Sequence, residues 1–241
     1  FQFAPFVDDT MLAEVWGAAD ALADDAFALE TERSSGEALV AMVRLMGERG
    51  LLRYVTSKTY GGAYDALCVR ALCLVREPLV ELAFAMQGLG SYPLTHAGGP
   101  MADAWLPKVV RGEAVAAFAL TEAEAGSDLS GIATTARRDG DAWVLRGEKV
   151  FISNAPVADM FVVFARTHDD APASRGLSAF LVPGSHPGVR CEATRVLGGH
   201  PIGTLHLDNV RLPATHLVGD EGRGLGLALA TLGRFRTSVG G

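Results

Sequence analysis

Apolar positions in the first part of the chain recur three and four residues apart. Leu12, Val15, Trp16, Ala19, Leu22, Ala23 and Phe27 share one helical face, with Asp8, Asp9 and Thr10 ahead of them as N-cap candidates. A second helix follows Gly36, with Leu39, Val40, Val43 and Met46 turned inward and a stop near Gly50. Beyond the turn at Tyr60-Gly61-Gly62 runs a long apolar helical stretch. Pro78 interrupts it and either kinks the helix or begins a new one at its first turn. Pro100 opens a further helix through Trp105, ended by Gly112. From about Ala114 the period changes. Short runs rich in Val, Phe, Thr and Ile alternate with turn residues, at 115–120, 132–138, 143–145, 149–152, 160–165, 177–182, 189–195 and 204–210. Asp139-Gly140 between two of them is a two-residue hairpin signal. From Gly222 the pattern is helical again, through Leu225, Leu227, Leu229, Leu232 and Phe235 to Gly240-Gly241.

These patterns predict an α+β multidomain chain. Residues 1–113 form an all-α domain, 114–219 an antiparallel β-barrel or sandwich, and 220–241 the first helix of a C-terminal helical domain. The chain starts at Phe1 rather than Met, so the expectation is that more sequence precedes it, and the leucine-rich last helix predicts more after Gly241.

Charge and composition mainly exclude. A net charge of −7 with scattered Lys and Arg argues against a nucleic-acid binder, while leaving room for a small anionic ligand at helix N-termini or local arginines. No apolar run approaches the ~20 residues that span a bilayer. Three cysteines have neither disulfide density nor metal spacing; Cys68 and Cys73 read as core packing, and the reducing compartment they suggest is taken as cytoplasmic. The six histidines form no HxH or HExxH pattern.

The stretch richest in candidate chemistry is 117–131, AFALTEAEAGSDLSG. A strand delivers Thr121 to a loop of small residues, Ala125, Gly126 and Ser127, whose backbone N–H groups can approach a ligand closely. Such a loop suits a phosphate or a polar ring edge. Taken singly, Phe118 and Phe151 read as core aromatics, Thr121 as an ordinary strand residue and Ser153-Asn154 as a turn. Glu122 and Glu124 read as solvent-facing or capping residues of the loop, not as catalysts.

TExxAGSD after a strand (121–128), then FISN (151–154) and a Gly-rich helix entry (219–226), resemble the acyl-CoA dehydrogenase family. WVLRGEK (143–149), LDNVRLP (207–213) and WLPKVVRGE (105–113) also fit, so the resemblance covers nearly the whole chain. It implies FAD as cofactor. Phe118, Leu120 and Thr121 would line the flavin, with Thr121 on its polar edge, and Gly126 and Ser127 would cover its phosphate side. Ser127 would also meet the pantetheine arm of an acyl-CoA or acyl-carrier-protein thioester. Phe151 and Ile152 would lie by the ring, and Ser153 would donate toward flavin N5. Arg236 matches a substrate-contacting arginine, but Gly233 replaces its frequent Asp partner; Arg175 is a candidate for a CoA phosphate. Ala123 replaces a usual Pro, which should loosen the loop. Phe118 and Phe151 replace frequent Tyr and Trp, and Ser153 replaces Thr while keeping the hydroxyl.

The resemblance implies α,β-dehydrogenation of a thioester, with electrons passed to an electron-transfer flavoprotein and the protein a homo-oligomer. The base would be a Glu of the C-terminal domain, beyond Gly241, so no catalytic residue is assigned within the chain. Flavin monooxygenases, oxidases and acyl-carrier-protein dehydrogenases share the resemblance, and a non-catalytic partner subunit is a further alternative.

Overall fold

The computed structural model describes residues 9–56, 70 and 77–239, with the side chains of 9, 11 and 236–239 outside that description. Asp8, the Tyr60-Gly61-Gly62 turn, Cys68, Cys73, most of the apolar stretch before Pro78, the Arg236 side chain and Gly240-Gly241 therefore lie outside the described residues.

Helix α1 (Asp9–Glu32) buries Val15, Ala19, Leu22 and Ala26. Trp16 and Phe27, expected inside, are 43% and 74% exposed. Each lies one residue, about 100° of helix, off the buried stripe. Helix α2 (Ser35–Glu48) starts earlier than expected because Ser34 and Glu37 form a reciprocal capping box, which leaves Gly36 inside the helix. Leu39, Val43 and Met46 are buried as foreseen, and Val40 is half-buried. After the short α3 (Arg53–Thr56), Pro78 is the first residue of α4 (Pro78–Ala97), so it opens a helix rather than kinking one. Helix α5 (Pro100–Val110) likewise begins on proline, and Gly112 follows it at φ 70°.

The strands are β1 (Ala116–Ala119), β2 (Thr135–Asp139), β3 (Ala142–Ser153), β4 (Met160–Arg166), β5 (Leu177–Pro183), β6 (Val189–Thr194), β7 (Ile202–Pro213) and β8 (Leu217–Val218). A short helix α6 (Ala173–Gly176) precedes β5, and α7 (Gly224–Val239) closes the described chain. One sheet runs β6-β7-β3-β2-β4-β5-β8, with β1 added on β4. The sheet is mixed rather than purely antiparallel. β1 pairs in parallel with Met160–Val163 of β4, and β2 meets the same strand in parallel at Thr135–Arg166. β1 and β2 thus share one edge of β4, and residues 120–134 leave that edge as an excursion. The runs at 143–145 and 149–152 are one strand, β3, interrupted by register shifts against β7. The hairpin turn between β2 and β3 is Gly140-Asp141, one residue later than the Asp139-Gly140 signal, because Asp139 still pairs with Ala142. β8 was not foreseen; two residues carry no periodicity.

Three buried clusters hold this together. One lies among α1–α4, and one lies within the sheet around Trp143, Phe161 and Phe180. The third joins Leu94, Ala102 and Val109 of the helices to Val162, Phe164 and Leu181 of the sheet and to Leu227 and Ala228 of α7. Helix α4 is the hinge of this arrangement. A Cβ at Gly90 would lie 2.7 Å from the Ala116 and Ala117 backbone, so strand β1 rests directly on the helix. The buried Gln87 amide fastens the contact, donating to Ala114 O at 2.8 Å and accepting from Ala116 N at 2.7 Å.

Candidate active site

A cavity of about 420 Å³ opens where the excursion, the end of β3, α4 and α7 converge. Strand β1 and its continuation bring Phe118, Leu120 and Thr121; the loop brings Gly126 and Ser127; the end of β3 brings Phe151, Ile152 and Ser153. All eight residues expected at a cofactor thus face one cavity. Met86, Leu89, Leu229 and Leu232 line it from the helices. One side carries three hydroxyls, and the other is apolar. Among the described residues the lining contains no carboxylate, ammonium or guanidinium.

Phe118 is half-buried with its ring 5.0 Å from that of Phe164, so it serves the core as well as the cavity. Phe151 behaves differently. Regular alternation along β3 after the inward Lys149 would turn Phe151 inward too. A register shift between Lys149 and Ile152 breaks the alternation, and Phe151 takes φ 55°. Its ring is therefore 65% exposed while Ile152 is buried. Asn154, three residues on, is also left-handed, at φ 66°. Of these two residues bracketing Ile152-Ser153, Phe151 lacks freedom at this φ and stores strain of about 1–3 kcal/mol, whereas asparagine enters the left-handed region at little cost. The surroundings sustain it: buried Asn154 donates Nδ2 to Ala116 O at 3.0 Å and its backbone N–H to Pro201 O at 2.7 Å. A planar aromatic ligand fits such an outward ring with hydroxyls beside it.

The loop is tight despite Ala123. Glu122 and Ala125 exchange backbone hydrogen bonds of 3.0 and 3.2 Å, and Asp128 caps the turn that follows by accepting from Ser130 N–H at 2.8 Å. Its anchor is a residue whose burial the sequence reading did not foresee. Glu122 is only 9% exposed and accepts from the backbone N–H of Ala133 and Thr134 at 2.7 and 3.0 Å and from Lys149 Nζ at 2.7 Å. It faces the interior, not solvent, and its capping role is internal. Burial alone would raise its pKa, but the Lys149 ammonium and these hydrogen bonds outweigh burial and hold the carboxyl below its usual range. Lys149 is fully buried and also donates to Leu120 O at 3.0 Å; burial pushes its pKa down to about 8, against the opposing pull of Glu122. Lys149 went unremarked in the sequence. Its signal was there: a lysine in the inward phase of an otherwise apolar run. Arg175 lies on α6, exposed and away from the cavity lining.

A family model described as "Acyl-CoA dehydrogenase, middle domain" matches residues 117–210, which span the cavity's polar side. The cyclohexane-1-carbonyl-CoA dehydrogenase of Geobacter metallireducens is 35% identical over 217 residues, 86% of this chain and 56% of that protein. The chain carries the middle domain of the acyl-CoA dehydrogenase family. A solved glutaryl-coenzyme A dehydrogenase–glutaryl-CoA complex superposes at TM-score 0.84 with 29% identity, over 97% of this chain and 62% of that one. A glutaryl-CoA dehydrogenase from Mycobacterium smegmatis in complex with FADH2 gives 0.75 and 26%, over 97% and 61%. The chain spans little more than half the length of the curated relative it matches. No helix among the described residues is long and apolar enough to cross a membrane.

Proposed function

We propose that the protein carrying this chain oxidises an acyl-CoA thioester between its α and β carbons, with FAD held in the cavity described above. The observation that carries the reading is the pairing of an outward, strained Phe151 with the hydroxyls of Thr121, Ser127 and Ser153 around one cavity. A ring stacked on Phe151 would present its polar edge to Thr121 and Ser153, and phosphates would lie against the open loop at Gly126-Ser127. A Cβ added at Gly126 meets nothing within 4 Å, so the backbone there is free to approach a ligand. The smegmatis relative solved with FADH2 supports the choice of flavin.

When bound, FAD supplies the acceptor for the β hydrogen as hydride. The chain's own residues bind, orient and exclude water. Ser153 and Thr121 would be donors beside the ring, where negative charge grows as it is reduced. Met86, Leu89, Leu229 and Leu232 form an apolar side against which an acyl chain packs and from which water is expelled. Removal of the α proton needs a general base such as a carboxylate or an imidazole. The described lining has none, and Glu122 is committed to Lys149 and two backbone N–H groups. The base is accordingly proposed to reach the cavity from outside this lining, on the remainder of the protein or a neighbouring subunit of a homo-oligomer. An electron-transfer flavoprotein is the proposed acceptor.

The test is the visible spectrum of the full-length protein before and after anaerobic addition of a CoA thioester, with glutaryl, butyryl and cyclohexanecarbonyl esters compared. A flavin band that bleaches with one of them is expected. A flavin that stays oxidised with every thioester, yet reacts rapidly with oxygen once reduced by dithionite, would replace the dehydrogenase reading with an oxidase or monooxygenase. A protein that purifies without flavin and binds none on addition would overturn the proposal.

A further inference from the structure

The Lys149–Glu122 pair lies behind the cavity and forms no part of its lining, yet it joins the two segments that make the polar side. Lys149 belongs to β3, two residues before Phe151 and four before Ser153. Its ammonium holds Leu120 O at 3.0 Å and Glu122 Oε1 at 2.7 Å, on either side of Thr121. The next residue, Val150, donates its N–H to Thr121 O at 2.9 Å. Three consecutive residues of the excursion, 120–122, are thereby pinned to one short stretch of β3. Glu122 extends the connection by taking the N–H groups of Ala133 and Thr134, where the excursion returns to the sheet. A buried ion pair is a poor source of net stability, because desolvation offsets the attraction and an apolar pair of similar volume often serves as well or better. Its value is directional: the ammonium fixes the distance between two backbones that share the Val150–Thr121 hydrogen bond but no strand ladder.

We infer that Lys149 and Glu122 are positioning residues, which set the spacing between the Thr121 and Ser153 hydroxyls and hence the seat of the ring between them. The inference rests on the flavin reading above and concerns residues that would touch neither cofactor nor substrate.

The test uses the full-length protein stripped of FAD, with affinity read by flavin fluorescence, the ring's environment by the bound flavin's absorption bands, and folding by thermal melts. The double variant Lys149→Met/Glu122→Gln removes both charges without leaving one unpaired. It is expected to melt close to the parent, to bind FAD at least tenfold more weakly, and to shift the absorption bands of the flavin that remains bound. Parent-like affinity, within twofold, with unshifted bands would overturn the inference while leaving the flavin reading intact. Should that variant not fold, Glu122→Asp decides: it keeps both charges and shortens the reach by one methylene. Weaker FAD binding and shifted bands at an unchanged melting temperature are then expected, and parent-like binding and spectrum overturn the inference. A parent protein that binds no FAD overturns both readings together.

Discussion

The two sides of the cavity are built by different means. The sheet side, from Leu120 to Ser153, is fixed by directional bonds: the Lys149 and Glu122 contacts, the Asn154 amide, and the Val150–Thr121 backbone link. It even sustains two left-handed non-glycine residues, of which Phe151 is strained. The helix side, from α4 and α7, is fixed mostly by shape, with the Gln87 amide as its polar link to β1. Gly90 lets β1 lie on α4, and Gly88 receives the Phe235 ring, with Cε1 and Cζ 2.6 and 2.7 Å from where a Cβ would stand. Polar groups that must meet particular atoms of a ligand need angles and distances that packing alone does not define. An apolar surface that excludes water and accepts a flexible chain needs only volume. The comparison teaches that the polar contacts near the hydroxyls tie together the two segments that carry them, whereas the helices approach the sheet closely through small residues.

The largest expected effect strikes the join between the two sides. Gly90→Val should destabilise the fold by about 3 kcal/mol, because the added carbons meet the β1 backbone rather than a side chain that can move. Chemical denaturation measures it, and a loss under about 1 kcal/mol would mean that β1 can lift off α4. Next, Ser153→Ala should leave stability within about 0.5 kcal/mol of the parent but slow flavin reduction by about 100-fold. Stopped-flow bleaching at saturating thioester reads the rate; a parent-like rate would remove Ser153 from the reaction and blur the contrast between the sides. Phe151→Gly separates strain from function. Relief at φ 55° should raise stability by about 1 kcal/mol while FAD dissociates more readily, read by denaturation and flavin fluorescence on the same samples. Weaker stability instead would show the exposed ring to be a packing element.

The smallest effect is a pH dependence. Glu122 has a folded-state pKa below its ordinary value, so between the two the unfolded chain binds more protons. The stability it contributes is complete above about pH 4.5, the ordinary carboxylate value, and is lost as pH falls through the folded-state value. Denaturation midpoints below pH 4.5 should therefore fall less steeply in Glu122→Gln than in the parent. Equal slopes would mean that the carboxyl is not held by Lys149 as described.

Much of this was legible before any coordinates. Val15, Ala19 and Leu22 lie inside because a helix period marks them, and Pro78 and Pro100 open helices because proline lacks the N–H that a first turn leaves unpaired. The eight residues at the cavity were legible through the motifs at 121–128 and 151–154 and their resemblance to a family, not through periodicity. Of the two readings of Glu122, solvent-facing or capping, the capping one holds, but its burial was not legible because its partner lies 27 residues away in another strand. Trp16 and Phe27 were misplaced because a broad apolar face does not say which of its positions a neighbouring helix will cover.

By itself the sequence determined the local matters: which segments coil and which extend, where helices begin, and which hydroxyl-bearing residues accompany a small-residue loop. Those follow from interactions within a few residues, which the order of side chains specifies directly. Only the tertiary structure decided that β1 and β2 share an edge of β4, that Phe151 turns outward, and that Lys149 reaches across to Glu122. Each depends on pairing between distant segments, where a one-residue change of register reverses which side chains face inward.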